Sequence, residues 1–255
     1  NPVNQQVGQA MLQKLGLTVC FADNGREALQ LAASEPFDLI LMDCHMPVMD
    51  GYEASAAIRA QKRTPRVPIV ALTANVMEGN RERCLAAGMD DFLAKPYALD
   101  QLKATLQRWM SAAPPRADCA AAADCATGPA DTSASVPPAI DRDTIEQFRE
   151  LDPNGSMALA ARILGIYAGS SSGVFAEVEH AVAAGDGSRL RHAAHSLKSS
   201  SANVGATQLS ALFKEFEQLG KEDRVDDART QLDALRAEYA RALDGIRALQ
   251  LEFDT

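Results

Sequence analysis

The chain has 255 residues, which at about 100–200 residues per domain allows one or two domains. Its 34 acidic residues outnumber 25 basic ones for a formal charge of −9, which argues against a general nucleic-acid-binding surface. No apolar run approaches the about 20 residues that span a bilayer, and no signal peptide is visible.

The first part of the chain alternates between two patterns. Short apolar runs occupy residues 18–22 (Thr-Val-Cys-Phe-Ala), 38–42 (Asp-Leu-Ile-Leu-Met), 67–72 (Val-Pro-Ile-Val-Ala-Leu) and 91–94. Helical periodicity lies between and around them, near 3–15, 25–34, 51–62, 78–87 and 98–111. Continuous apolar strands separated by amphipathic helices predict an α/β domain with a parallel sheet covered on both faces. Such sheets place their chemistry at the carboxyl ends of the strands.

Residues 113–139 break the pattern. This stretch of 27 holds ten alanines and five prolines, with Val136 its one large aliphatic residue. It has too little apolar surface to offset the entropy of ordering, and is expected to be a linker spanning roughly 30 Å as a flexible coil. Beyond it, helical patterns cover 141–151, 156–184, 187–203, 206–219 and 225–250 with no strand between them. The last repeats Leu232, Leu235, Tyr239, Leu243, Ile246 and Leu249 at spacings of three or four, one buried helical face. The expected second domain is all-α.

Five cysteines (Cys20, Cys44, Cys84, Cys119, Cys125) form no Cys-x-x-Cys pair and have no zinc spacing with histidine. A reducing, cytoplasmic setting follows as the simplest reading.

Three strand ends of the first domain carry chemistry. Asp43 ends the run 39–42 and opens the loop Cys44-His45-Met46-Pro47-Val48-Met49-Asp50-Gly51. Thr73 follows the second run in Ala71-Leu72-Thr73-Ala74, and Lys95 follows the third in Ala94-Lys95-Pro96-Tyr97. A carboxylate, a hydroxyl and an ammonium at corresponding ends of one sheet suit a phosphoryl group. A carboxylate is ionised at neutral pH and needs no general base, while the transferring oxygens need nearby positive charge. This constellation resembles the receiver domain of bacterial response regulators over nearly all of residues 1–112. The resemblance implies a flavodoxin-like, doubly wound sheet of strand order 2-1-3-4-5. It implies Asp43 as phosphoacceptor and metal ligand, with the His45 backbone carbonyl as a second ligand of Mg2+. It further implies Lys95 as counter-charge, Thr73 and Tyr97 as the switch pair, and Ala74 as a small residue leaving its backbone N–H open to phosphate. In that family an acidic pair ends the first strand and holds the metal, and the residues after it typically read Asn-Pro-x-Asn, as do Asn1-Pro2-Val3-Asn4. The expectation is therefore a receiver without its first strand and acidic pair, binding magnesium and taking phosphate poorly as given.

The helix at 187–203 carries the second constellation, His195-Ser196-Leu197-Lys198-Ser199 through Gly205. Leu190, Ala194, Leu197, Ser201 and Val204 recur on its core face. His195 lies about 200° from Leu197 and is expected to be exposed, with Lys198, Ser199 and Ala202 on its stripe. An imidazole is mostly neutral at pH 7 and hence nucleophilic. The run resembles the signature of histidine-containing phosphotransfer (Hpt) domains over residues 140–251, with Ser199 where the family usually has glycine. By that resemblance His195 carries the phosphoryl group and Lys198 holds its charge; His192 reads as a bystander.

Receiver and Hpt domains on one chain look like the C-terminal part of a hybrid sensor histidine kinase, whose parent can be anchored in the inner membrane. The implied partners are an upstream histidine kinase domain and the receiver of a downstream response regulator. No Gly-rich ATP lid, kinase helix pair or helix-turn-helix is recognisable, so the chain is expected to carry phosphate rather than make phosphohistidine from ATP. Two alternatives compete. A haloacid-dehalogenase-type phosphatase needs a second Asp two residues after the first, where this chain has His45. A phosphate-independent docking scaffold has no need of Asp43, Thr73 and Lys95 together.

Overall fold

The structure is a computed structural model and describes residues 1–61, 66–73, 78–110, 138–152 and 154–253. Ala74 and nearly all of the expected linker at 113–139, with Cys119 and Cys125, lie outside these residues. The chain divides into two compact units, Asn24–Pro138 and a second made of Asn1–Asp23 with Ala139–Thr255.

In the first unit the apolar runs become β1 (Ile40–Asp43), β2 (Ile69–Thr73) and β3 (Asp91–Ala94), interleaved with helices α2 (Gly25–Ser34), α3 (Gly51–Ala60), α4 (Glu78–Ala86) and α5 (Leu99–Met110). The strands are parallel in the order β1-β2-β3, with Asp43 level with Leu72 and Thr73 level with Ala94. Met42, Ile69 and Ala71 are buried against Ala54 and Ile58 of α3 and against Cys84 and Met89. Side-chain caps start two of these helices, from Asn24 to Arg26 and Glu27 and from Asp50 to Glu53. At the far end of the sheet Arg59 donates to the carbonyls of Gly88 and Val67 and pairs with Asp90 at 2.6 Å. Asp90 in turn accepts from the Ile69 N–H. This ties the end of α3 to the start of β2 and to the turn before β3.

The expected strand at 18–22 does not form. A strand is stable only when its N–H and C=O groups find a ladder partner. Among the described residues the run at 18–22 pairs with no strand of the sheet. High strand propensity in Val19 and Phe21 therefore has nothing to act upon.

The second unit is helical. Helix α1 (Pro2–Lys14) buries Val3, Val7, Met11 and Leu12 and packs on α6 (Arg142–Leu151), α7 (Ala158–Ala184) and α8 (Gly187–Asn203). Polar bonds tie it down: Asn1 donates to Ser196, Asn203 donates to Asn4, and Lys14 donates to the Glu150 carbonyl. Its apolar stripe is buried in the bundle. Helices α9 (Thr207–Lys221) and α10 (Val225–Phe253) complete the unit around Leu164, Tyr167, Leu190, Leu197, Phe213, Phe216 and Ile246. The interior includes a Tyr167–Ser201 bond and a Ser171–Tyr239 bond, each 2.8 Å, so the buried hydroxyls are satisfied. Helices α8 and α9 pack especially closely where two glycines meet. A Cβ on Gly220 would lie 2.7 Å from the Gly187 carbonyl oxygen and from the Arg191 nitrogen. No described helix is long and apolar enough to cross a membrane.

Candidate functional site

In the α/β unit, the three strand ends converge as the motif spacing predicts. Lys95 reaches across from the end of β3 and its ammonium bonds Asp43 Oδ2. Asp43 Oδ1 accepts the His45 N–H at 3.2 Å. The backbone positions these groups, since Lys95 N–H bonds the Thr73 carbonyl at 2.7 Å and Cys44 N–H bonds the Leu72 carbonyl at 3.1 Å. The Asp43 side chain keeps 30% of its surface exposed while Lys95 keeps 12%, so the carboxylate opens to solvent with its counter-charge held beneath it. Thr73 is buried on the neighbouring strand.

Gly51 explains the shape of the loop after Asp43. Its N–H bonds the Cys44 carbonyl, and a Cβ there would lie 2.1 Å from the Asp43 carbonyl oxygen. Only glycine lets α3 begin against the strand that carries the carboxylate. Between them the Met49 N–H bonds the Pro47 carbonyl at 2.8 Å around Val48 at φ +70°, a γ-turn with a positive-φ centre.

Tyr97 is half-buried, and burial together with the nearby Asp43 charge pushes its phenol up to about 12. Beneath the carboxylate, burial and the adjacent Cys84 push the Cys44 thiol up to about 12, while Tyr52 gives it a hydrogen bond. Low-pKa, accessible thiols are the reactive ones, and Cys44 is neither.

Of the magnesium ligands that the receiver resemblance implies, the described residues include the Asp43 carboxylate and the His45 backbone carbonyl. Asp43 is one carboxylate already shared with Lys95, and no group of three or more His, Cys, Asp or Glu among the described residues is placed to hold an ion.

In the helical unit, His195 and Lys198 share one face of α8, one turn apart. Both meet a residue that the motif does not contain. His195 Nδ1 lies 2.7 Å from Glu217 Oε1, and Lys198 Nζ lies 2.5 Å from Glu217 Oε2. Burial alone would raise the Glu217 carboxyl, but hydrogen bonds from His195 and Lys198 and their charges outweigh it and hold it at about 2. His195 is consequently less exposed than its helical position suggests, with 17% of its side-chain surface open. Glu217 covers the Nδ1 edge of the ring. Ser199, in the usual glycine position, turns its hydroxyl back to the His195 carbonyl. His192 is exposed and bonds the Ser188 carbonyl of its own helix, outside the cluster.

Glu217 lies on α9, 22 residues from His195. The sequence signal that could have found it is faint: it sits four residues after buried Phe213 and three before buried Gly220, at the margin of the apolar stripe.

Residues 1–107 match the family model of the response regulator receiver domain, and residues 162–245 match that of the Hpt domain. The chain is a receiver domain followed by an Hpt domain. Together the two make it a phosphorelay module. The sensor histidine kinase GacS of Pseudomonas protegens is 32% identical over 227 residues, covering 88% of this chain and 24% of that protein. The hybrid signal transduction protein dokA of Dictyostelium discoideum is 43% identical over 111 residues, covering 43% of this chain and 6% of that protein. The chain thus spans a quarter or less of these curated relatives. Among solved structures, the receiver domain of sensor histidine kinase PA1611 from Pseudomonas aeruginosa is 52% identical, with a TM-score of 0.42. The match covers 44% of this chain and 92% of that one.

Proposed function

We propose that Asp43 of the receiver takes a phosphoryl group from an upstream phosphohistidine and that His195 of the Hpt domain passes it to a downstream receiver. The observation that carries this reading is the pairing of each nucleophile with a lysine on its own scaffold: Asp43 with Lys95, and His195 with Lys198 through Glu217. In the first transfer an Asp43 carboxylate oxygen bonds phosphorus, the phosphorus–nitrogen bond breaks, and its electron pair returns to the donor imidazole. Lys95 then offsets charge on the phosphoryl oxygens, the main demand of such a transition state. In this reading Thr73 and Tyr97 act as the switch pair that responds to occupancy of the site.

In the second transfer His195 Nε2 bonds phosphorus and the bond to the Asp43 oxygen breaks, restoring the carboxylate. Glu217 accepts from Nδ1–H and stabilises the positive charge that builds on the ring. A carboxylate orients a histidine and stabilises its imidazolium in the same way where the histidine acts as a general base. Lys198, tethered by Glu217, stays beside the incoming phosphoryl group. The partners of this reading are a kinase domain bearing phosphohistidine and a separate receiver.

Acetyl phosphate, which phosphorylates carboxylates, tests the order. With prolonged incubation, label reaches Asp43 and then His195 in the intact chain. It stays on Asp43 in His195→Gln and is absent from His195 in Asp43→Asn. Labelled His195 in the Asp43→Asn chain, or no label at either residue of the intact chain, overturns the assignment.

A further inference from the structure

Val48 combines two features that folding does not ask for. Its side chain is 75% exposed, the most open of the large apolar side chains among the described residues. Its backbone sits at φ +70°, a region that a β-branched residue adopts only as an outlier. An interior role would bury the side chain, and a purely conformational role would be filled better by glycine or asparagine. Strain of this sort persists where the surroundings over-determine it, and it concentrates at functional sites. Here the surroundings are explicit. The Met49-to-Pro47 bond closes the γ-turn, and Gly51 clamps the loop's end against the Asp43 carbonyl. The turn therefore holds an aliphatic side chain outward in the loop that leads from the nucleophile to α3.

We propose that Val48 is a positioning residue that docks on the phosphohistidine-bearing helix of an Hpt-type partner during transfer to Asp43. The proposal rests on the assignment of Asp43 as phosphoacceptor. The Hpt helix of this same chain shows the chemistry such a partner offers. Along the His195 stripe stand Ser199 and Ala202, both small and both half-buried. Side chains this small, one and two turns beyond a histidine, leave room for a branched aliphatic group to approach the helix. An aliphatic contact there adds attraction without placing a charge near the phosphoryl oxygens.

The test uses two full chains. The donor is the Asp43→Asn chain, charged at His195 with phosphoramidate. The acceptor is the His195→Gln chain with Val48 or with Val48→Gly, the latter free of backbone strain because glycine takes φ +70° readily. The expected result is a roughly tenfold rise in the donor concentration for half-maximal transfer, as for loss of one buried valine contact. The rate at saturating donor and direct labelling of Asp43 by phosphoramidate hold. Unchanged donor dependence in Val48→Gly overturns the proposal, and so does an equal loss with the small donor, which would make Val48 structural. Failure of the His195→Gln chain to take label from phosphoramidate overturns the Asp43 assignment, and this proposal with it.

Discussion

Glu217 Oε1 holds His195 Nδ1 at 2.7 Å, joining the phosphotransfer helix α8 to the helix that follows it. Its second oxygen holds Lys198, so one carboxylate sets both the ring orientation of the nucleophile and the reach of its cation.

Removing that carboxylate should slow phosphoryl transfer at His195. Hydrogen bonds to charged groups contribute about 1.5–3 kcal/mol, so Glu217→Ala is expected to lower the rate roughly 10- to 100-fold. Glu217→Gln keeps an acceptor for Nδ1–H and should lose less. Single-turnover transfer between labelled chains measures both. Equal rates in all three proteins would remove Glu217 from the mechanism.

The same carboxylate should make the Hpt unit acid-sensitive. Its pKa of about 2 lies below the ordinary 4.5, because partners in the folded state favour the charged form. The unfolded chain therefore binds the proton first on acidification. The stabilisation is complete above about pH 4.5 and is lost as pH falls through about 2. Its size is at most about 3 kcal/mol, reduced by the side chain's partial exposure. Hydrogen exchange of α8 and α9 should separate the intact chain from Glu217→Gln at pH 6, with the gap closing towards pH 2. A gap that stays constant would contradict the linkage.

At the receiver, Gly51→Ala should destabilise the unit by about 1–3 kcal/mol or more, since its Cβ overlaps backbone rather than a movable side chain. Because the clash is with the Asp43 carbonyl, labelling of Asp43 should fall along with stability. Denaturant midpoints and labelling report the two effects separately. A stable Gly51→Ala chain would mean α3 can start elsewhere.

The Arg59–Asp90 pair and the exposed Arg66–Asp90 pair offer a contrast. Arg59 and Asp90 are 19% and 9% exposed, so Asp90→Ala strands a mostly buried guanidinium and the Ile69 N–H, an expected loss of about 3–5 kcal/mol. Arg66 is 69% exposed, and Arg66→Ala should cost under about 1 kcal/mol. Urea unfolding of the two variants checks the ranking.

The legible part of this protein was local. Asp43, Thr73 and Lys95 could be placed together because apolar runs mark strands and parallel strands bring their ends to one edge. The helical spacing of Leu190, Ala194 and Leu197 likewise put His195 and Lys198 on a common face. Chain connectivity and side-chain periodicity carry that information in one dimension. Two features escaped it, each for the same reason. The run at 18–22 has the composition of a strand but lacks a ladder partner, so propensity found no hydrogen bonds to realise. Glu217 reads as one more acid at the edge of an amphipathic helix. The close approach of Gly187 and Gly220 brings α9 against α8, and that packing turns a surface acid into the partner of the phosphotransfer histidine.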